Sequence, residues 1–355
     1  MRIGIVNDSL IAREALRRAV ASAATHQVAW LASDGAEAVL KAAADRPDLI
    51  LMDLIMPGVD GVEATRQIMQ HANVPILVVT SSVTVHQSRV YEAMSLGALD
   101  AVDTPSLGPS EGMAGAAALL QKITTIGKLA GRAPRPSSDL VPGGADGRAA
   151  AGPSRAVSWN LVVLGVSTGG PAALAVVLGD MPDSPDASIV IIQHLDAAFI
   201  PGLAEWLTGQ VGRRVDLAQP GERPLPGRIY LACTNDHLVL DASRQFRHVA
   251  EPLSNPFRPS VDEFMISVAR HWPEPGAAAL LTGMLRDGAI GLLALRRAGW
   301  LTVAQDEATC VVYGMPRAAA EIGAAEQVLP LQRIGGVLAE RVRDRSYRIP
   351  GAYRR

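Results

Sequence analysis

Short apolar runs alternate with amphipathic stretches along most of the chain. Arg2–Asn7, Val28–Ala32, Leu49–Leu54 and Pro75–Thr80 are almost wholly apolar and too short for helices. Such runs read as buried strands. Between the first two, Ile11, Ala15, Leu16, Ala19 and Val20 recur at helical spacing. The same alternation resumes later with Leu161–Leu164, a helix from about Pro171, Ser188–Gln193, Arg228–Ala232 and Ala278–Thr282. Alternating β and α with short joins predicts parallel sheets covered on both faces. The fold class is therefore α/β, with two doubly wound parallel-sheet domains. In such sheets ligands bind beyond the carboxyl ends of the strands.

Residues 129–158 interrupt the pattern. Twenty of these 30 residues are Gly, Pro, Ser or Ala, so the stretch reads as a flexible linker. As a coil it would span roughly 30 Å. The organisation predicted is a first domain at 1–128, the linker at 129–158 and a second domain at 159–350.

Composition narrows the function. Lys and Arg number 33 against 35 Asp and Glu, a net charge of −2. Residues 1–128 carry 10 basic and 13 acidic side chains, and residues 159–355 carry 19 and 20. Neither half has the basic excess of a nucleic-acid-binding output. The two cysteines, Cys233 and Cys310, have no metal-binding spacing, and the opening MRIGIVNDSL enters a strand without a signal-peptide core. A cytoplasmic protein with no membrane insertion is expected.

In the first half, Asn7 and Asp8 follow the first strand, Asp53 lies inside the third, and Thr80 ends the fourth. Parallel strands bring these positions to one rim. Rim carboxylates suit a hard cation such as Mg²⁺ that keeps several waters. Mg²⁺ beside a carboxylate nucleophile is what an aspartyl phosphate requires. Any one of these acids alone could equally cap a helix.

In the second half, Gly165-Val166-Ser167-Thr168-Gly169 follows an apolar strand, the setting that exposes a serine nucleophile at a strand-to-helix turn. His194 emerges after Ser188–Gln193, and Asp287 lies in TGMLRDG after another apolar run. All three fall at strand ends, so a Ser–His–Asp triad is geometrically cheap. In it His194 takes the Ser167 proton and Asp287 fixes the imidazole tautomer. Backbone N–H groups at the turn, that of Thr168 first, would stabilise an oxyanion. Read alone, the glycine turn could instead cradle a phosphate, and His194 or Asp287 could be structural.

Longer segments favour the first alternative. Residues 1 to about 128 resemble a response-regulator receiver domain, on IVNDS at 5–9, LILMDLIMPGVDG at 49–61, PILVVTSS at 75–82 and GALDAVDTP at 97–105. That resemblance implies phosphorylation of Asp53, Mg²⁺ held by Asp8 and Asp53, and a sensing hydroxyl at Thr80. Three positions depart from it: Asn7 stands for a usual acid, Thr104 for a usual lysine, and Ala101 for a common aromatic. Residues 159–350 resemble the CheB-type chemotaxis methylesterase domain, on LGVSTGGP at 164–171, IIQHL at 191–195, NPFRPSVDEF at 255–264, LLTGMLRDGA at 280–289 and TVAQDEATCVVYGMPRAA at 302–319. The resemblance implies the triad Ser167, His194 and Asp287, with the Met284 N–H as a second oxyanion donor and no cofactor for the ester chemistry. Its partners would be a methyl-accepting chemoreceptor and a CheA-type histidine kinase, and glutamine deamidation would be a second activity. Leu285 departs from a usual glycine, and Asp196-Ala197-Ala198 from a usual proline-bearing sequence. The chain order Ser…His…Asp differs from the Ser…Asp…His of α/β-hydrolases. A finer resemblance, on MRIGIVND, GVEATRQIM, GALDAVDTP and AEWL, is to the Wsp-type methylesterases, whose pathway controls a diguanylate cyclase.

Overall fold

The alternation of strand and helix folds as two parallel sheets. A computed structural model describes residues 1–72, 74–82, 85–105, 112–130, 160–181, 187–253, 255 and 257–343. The first domain runs β1 (Arg2–Val6), α1 (Leu10–Ala21), β2 (Gln27–Ala32), α2 (Gly35–Ala44), β3 (Leu49–Met52), α3 (Gly61–His71), β4 (Ile76–Thr80), α4 (Gln87–Ser95), β5 (Asp100–Asp103) and α5 (Gly112–Ala130). Its five strands lie in the order β2-β1-β3-β4-β5, all parallel. The order reverses between β1 and β3, so the switch point opens beyond Val6 and Met52. Asp53 falls just past its strand rather than within it. Helix α1 buries Ala15, Leu16, Ala19 and Val20, while Ile11 faces outward.

Helix α5 continues through Ala130, two residues into the stretch read as linker. Residues 131–158 of that reading, and 344–350 of the second domain, lie outside the described residues.

The second domain runs β6 (Asn160–Val166), α6 (Gly170–Asp180), β7 (Ala187–Gln193), a 3₁₀ turn (Ala197–Phe199), α7 (Ile200–Val211), β8 (Val215–Leu217), β9 (Ile229–Leu231), β10 (His237–Leu240), β11 (Phe246–Val249), α8 (Val261–His271), β12 (Ala277–Leu280), α9 (Ala289–Arg297), β13 (Leu301–Gln305), α10 (Met315–Glu321), β14 (Gln327–Leu329) and α11 (Leu331–Arg343). Seven parallel strands lie in the order β14-β13-β12-β6-β7-β9-β8, and β10 and β11 form a separate antiparallel hairpin. The central strands β12, β6 and β7 are buried along most of their length, as their unbroken apolar runs require. The order reverses between β6 and β12, which opens a crevice beyond Val166 and Leu280.

Glycine sets how closely the layers approach this crevice. A methyl group on Gly165 would lie 2.3 Å from Val261 Cγ1, so α8 can lie against β6 only with glycine there.

The two domains share one apolar cluster, continued through α4 into α6 and α7. Tyr91 of α4 is buried, donates its hydroxyl proton to the Phe199 carbonyl, and sets its ring 6.1 Å from that of Trp206. Gln87 donates to the Ala198 carbonyl at 3.4 Å.

Leu285, in the loop between β12 and α9, has φ of 61° and is 58% exposed. A side chain in the left-handed region costs about 1–2 kcal/mol. Leu285→Gly removes that strain, gives up little burial, and adds glycine's unfolded-state entropy of about 0.5–1 kcal/mol. The net gain is expected to raise the midpoint of thermal unfolding by about 2 °C. Calorimetry checks this; an unchanged or lower midpoint would mean that the loop carries no such strain.

Candidate active site

The register of β6 against β7 pairs Val166 with Gln193, so Ser167 and His194 leave the sheet side by side. The backbone holds both. The Ser167 N–H donates to the Thr282 carbonyl at 3.1 Å, and the His194 N–H to the Val166 carbonyl at 3.1 Å. Buried Gln193 adds a brace by donating to the Ser167 carbonyl at 3.0 Å. Gly169, with φ of 78°, turns the chain into α6, whose start has no side-chain cap. Gly283 lies against the serine: a methyl group there would sit 2.7 Å from Ser167 Cβ.

His194 Nε2 lies 2.7 Å from Asp287 Oδ2. Asp287 is 3% exposed and accepts from three groups at the start of α8: Ser260 Oγ at 2.8 Å, the Val261 N–H at 2.6 Å and the Asp262 N–H at 3.3 Å. Burial alone would raise its pKa. The hydrogen bond and charge of His194, with those from Ser260 and Val261, outweigh burial and hold the carboxyl below its ordinary value. A neutral imidazole that donates Nε2–H to Asp287 leaves Nδ1 as its basic nitrogen. Phe257 stacks on the imidazole, with ring centroids 5.1 Å apart and planes 13° from parallel.

The structure thus brings His194 and Asp287 into contact and sets Ser167 beside them. Among the described residues the Ser167 hydroxyl makes no hydrogen bond to the ring, a link that in many enzymes tightens only with substrate bound. The N–H groups of Thr168 and Met284 have no acceptor among the described residues. Ser260, Phe257 and Asp262 stand within the NPFRPSVDEF segment of the sequence but are given no role there. One signal was available for the first: Ser260 and Glu263 have the spacing of a capping box, and the Glu263 N–H does bond Ser260 Oγ at 3.3 Å.

The first domain has its own rim. Asp53 is 8% exposed, and its Oδ2 accepts from Asn7 Nδ2 at 2.8 Å. Burial is the main cause raising the Asp53 pKa and Asp8 adds to it, while N–H groups of Ile55 and Leu54 and the charge of His86 oppose. Thr80 is fully buried and its hydroxyl has no partner among the described residues. The Thr104 N–H bonds the Thr80 carbonyl at 2.9 Å, so Thr104 stands at the same edge. Asn7 Oδ1 is taken by the Ser9 N–H at 2.8 Å, and the charge of Asp8 acts on Asp53. Two carboxylates suit Mg²⁺, which keeps waters and shares phosphoryl oxygens rather than needing a full protein cage. Among the described residues no helix is long and apolar enough to cross a membrane.

Comparison with known proteins identifies the family of each domain. Residues 3–109 match the response regulator receiver domain, and residues 162–338 match the CheB methylesterase. The chain is 50% identical to protein-glutamate methylesterase/protein-glutamine glutaminase 3 of Pseudomonas aeruginosa, over 96% of this chain and 99% of that one. It is 50% identical, over 96% and 99%, to the protein-glutamate methylesterase/protein-glutamine glutaminase of group 3 operon of Pseudomonas putida. The crystal structure of the Thermotoga maritima CheB methylesterase catalytic domain is 36% identical, with a TM-score of 0.50, over 52% of this chain and 99% of that one. The chain is a receiver-bearing hydrolase that belongs to the CheB family of protein-glutamate methylesterases/protein-glutamine glutaminases.

Proposed function

We propose that Ser167, His194 and Asp287 form the triad of an esterase acting on glutamate γ-methyl esters of a chemoreceptor's cytoplasmic helices. The contact between His194 and the buried, four-donor Asp287 carboxylate carries this reading. Ser167 Oγ attacks the ester carbonyl and passes its proton to Nδ1 of His194. The N–H groups of Thr168 and Met284 face the developing oxyanion, where one lost donor costs about 10²–10³ in kcat. The C–O bond to the methoxy group breaks, and that oxygen leaves as methanol with the His194 proton. Water, deprotonated by His194, then splits the acyl-serine to release glutamate. A glutamine side chain follows the same route with ammonia as the leaving group.

In the receiver, Asp53 is the phosphate acceptor, Asp8 and Asp53 hold Mg²⁺, and Thr80 senses the phosphoryl group. The buried Thr80 hydroxyl, without a partner among the described residues, supports that role. A histidine kinase of the CheA type supplies the phosphate. Helix α4 packs on the 3₁₀ turn that follows His194, which supports a receiver that blocks the rim until phosphorylated. Swinging such a docked pair from 1:99 to 99:1 takes about 5.5 kcal/mol of differential stabilisation. The finer reading, a Wsp-type branch serving a diguanylate cyclase, rests on the opening MRIGIVND, GVEATRQIM and GALDAVDTP segments.

Methanol release from methylated receptor membranes tests the reaction. Ser167→Ala is expected to lower kcat by about 10⁴–10⁶; retained turnover would remove Ser167 from the nucleophile role. In the same assay, acetyl phosphate with Mg²⁺ should stimulate the native chain and leave Asp53→Asn unchanged. Stimulation of that variant would place the switch elsewhere. Deleting residues 1–158 should raise activity without phosphodonor, and unchanged activity would rule out blocking.

A further inference from the structure

Asp287 belongs to neither a helix nor a strand. It stands in the loop between β12 and α9, two residues before Ala289. Its place is therefore set by what holds the start of α9. That helix has Gly288 as its N-cap, with φ of 89° and no side-chain cap of its own. The missing acceptor comes from the neighbouring helix: the Gly291 N–H donates to Asp262 Oδ1 at 2.6 Å. The exchange is mutual, because Asp287 accepts the Val261 and Asp262 N–H groups at the start of α8. Each helix begins on a carboxylate supplied from beside the other. Glycine makes this possible. A methyl group on Gly291 would lie 2.7 Å from Met265 Cβ and 3.0 Å from Asp262 Cα, and one on Gly288 would lie 2.8 Å from Val261 Cγ1.

We propose that Asp262 is a positioning residue for the triad: it fixes the start of α9 from the first turn of α8, and so holds the Asp287 carboxylate on His194. The proposal rests on the triad reading above. A cap alone would be served by Ser, Thr or Asn without bringing a second carboxyl beside Asp287. The acid has a consequence that those residues would lack. Burial first, and then Asp287, push Asp262 up to about 7, whereas Asp287 is held low. Below neutrality Asp262 thus holds a proton, and the negative charge stays on the carboxylate that faces the imidazole.

Among the described residues, the charged groups that act on Asp262 are acids. Helix α9 presents the N–H groups of Gly288 and Gly291, with Arg296 and Arg297 at its opposite end. The loop before α9 presents Asp287, and α8 itself adds Glu263. Hairpin strand β10 contributes His237, whose Nδ1 accepts the Ser260 N–H at 3.3 Å. Strands β6 and β7 carry no titratable side chain, and His194 beyond β7 reaches Asp262 through Asp287.

The test is steady-state methanol release across about pH 5–9 by full-length protein, with Asp262→Ala and Asp262→Asn. Loss of the tie in Asp262→Ala should lower kcat by roughly 10- to 100-fold, the cost of small misplacements in an active site, with KM within about twofold. Asparagine keeps the acceptor oxygen, so Asp262→Asn should recover to within about threefold at pH 6. The native profile should contain an ionisation near neutrality that Asp262→Asn lacks. A folded Asp262→Ala with kcat within about twofold of native overturns the proposal, as does an unchanged pH profile in Asp262→Asn. If Asp262→Ala does not fold, the asparagine profile decides alone. An inactive native chain, or an active Ser167→Ala, would instead break the triad reading. An active native chain with a dead Ser167→Ala and an unimpaired Asp262→Ala overturns only the role of Asp262.

Discussion

A buried carboxylate is the costly element on which the second domain is organised. Removing an ionised side chain from water costs several kcal/mol unless other groups replace the lost solvation. Asp287 recovers that cost from the open end of α8 and from one imidazole. The N-terminus of a helix is already short of acceptors and positive in potential, so an anion there satisfies both partners. Much of the surrounding architecture serves this meeting. Gly165 lets α8 reach the sheet, Gly288 and Gly291 let α9 reach α8, and β6 stands between β12 and β7 so that the three residues meet at one edge.

Both domains exploit the same property of parallel sheets. Where strand order reverses, the loops on either side of the central strand splay apart, and side chains at the strand ends face a common space. In the receiver that space gathers carboxylates, and in the second domain a serine, a histidine and a carboxylate. The chemistry differs because different residues occupy equivalent places. The connection between the rims runs through α4, which begins seven residues after Thr80 and ends its contacts beside the turn after His194.

The sequence makes the sheets and the rim residues legible because each depends on local pattern. The long apolar runs of β3, β4, β6 and β7 have few alternatives. Ser167 is flagged by its glycines, and His194 and Asp287 by following such runs. Other parts depend on contacts between distant segments. Ser260 and Asp262 lie in NPFRPSVDEF, whose composition says only that a helix starts there; their meaning arises when α9 arrives. Strands β8 and β14 are three residues each, too short to show a period. The β10–β11 hairpin turns through Arg244, at φ of 61°, where no glycine marks the turn. Phe257 could not be paired with His194 from spacing, because 63 residues separate them.

The separation of His194 and Asp287 by 93 residues also has a meaning for the ribosome. At roughly 5–20 residues per second, the acid is polymerised about 5–20 s after the base. The receiver precedes both, and its strands pair with one another without any segment of the second domain. During each round of synthesis the regulator is therefore complete before its target can exist. A nascent chain carries Ser167 and His194 with no partner acid, so the hydrolase comes into being only after its receiver is already made.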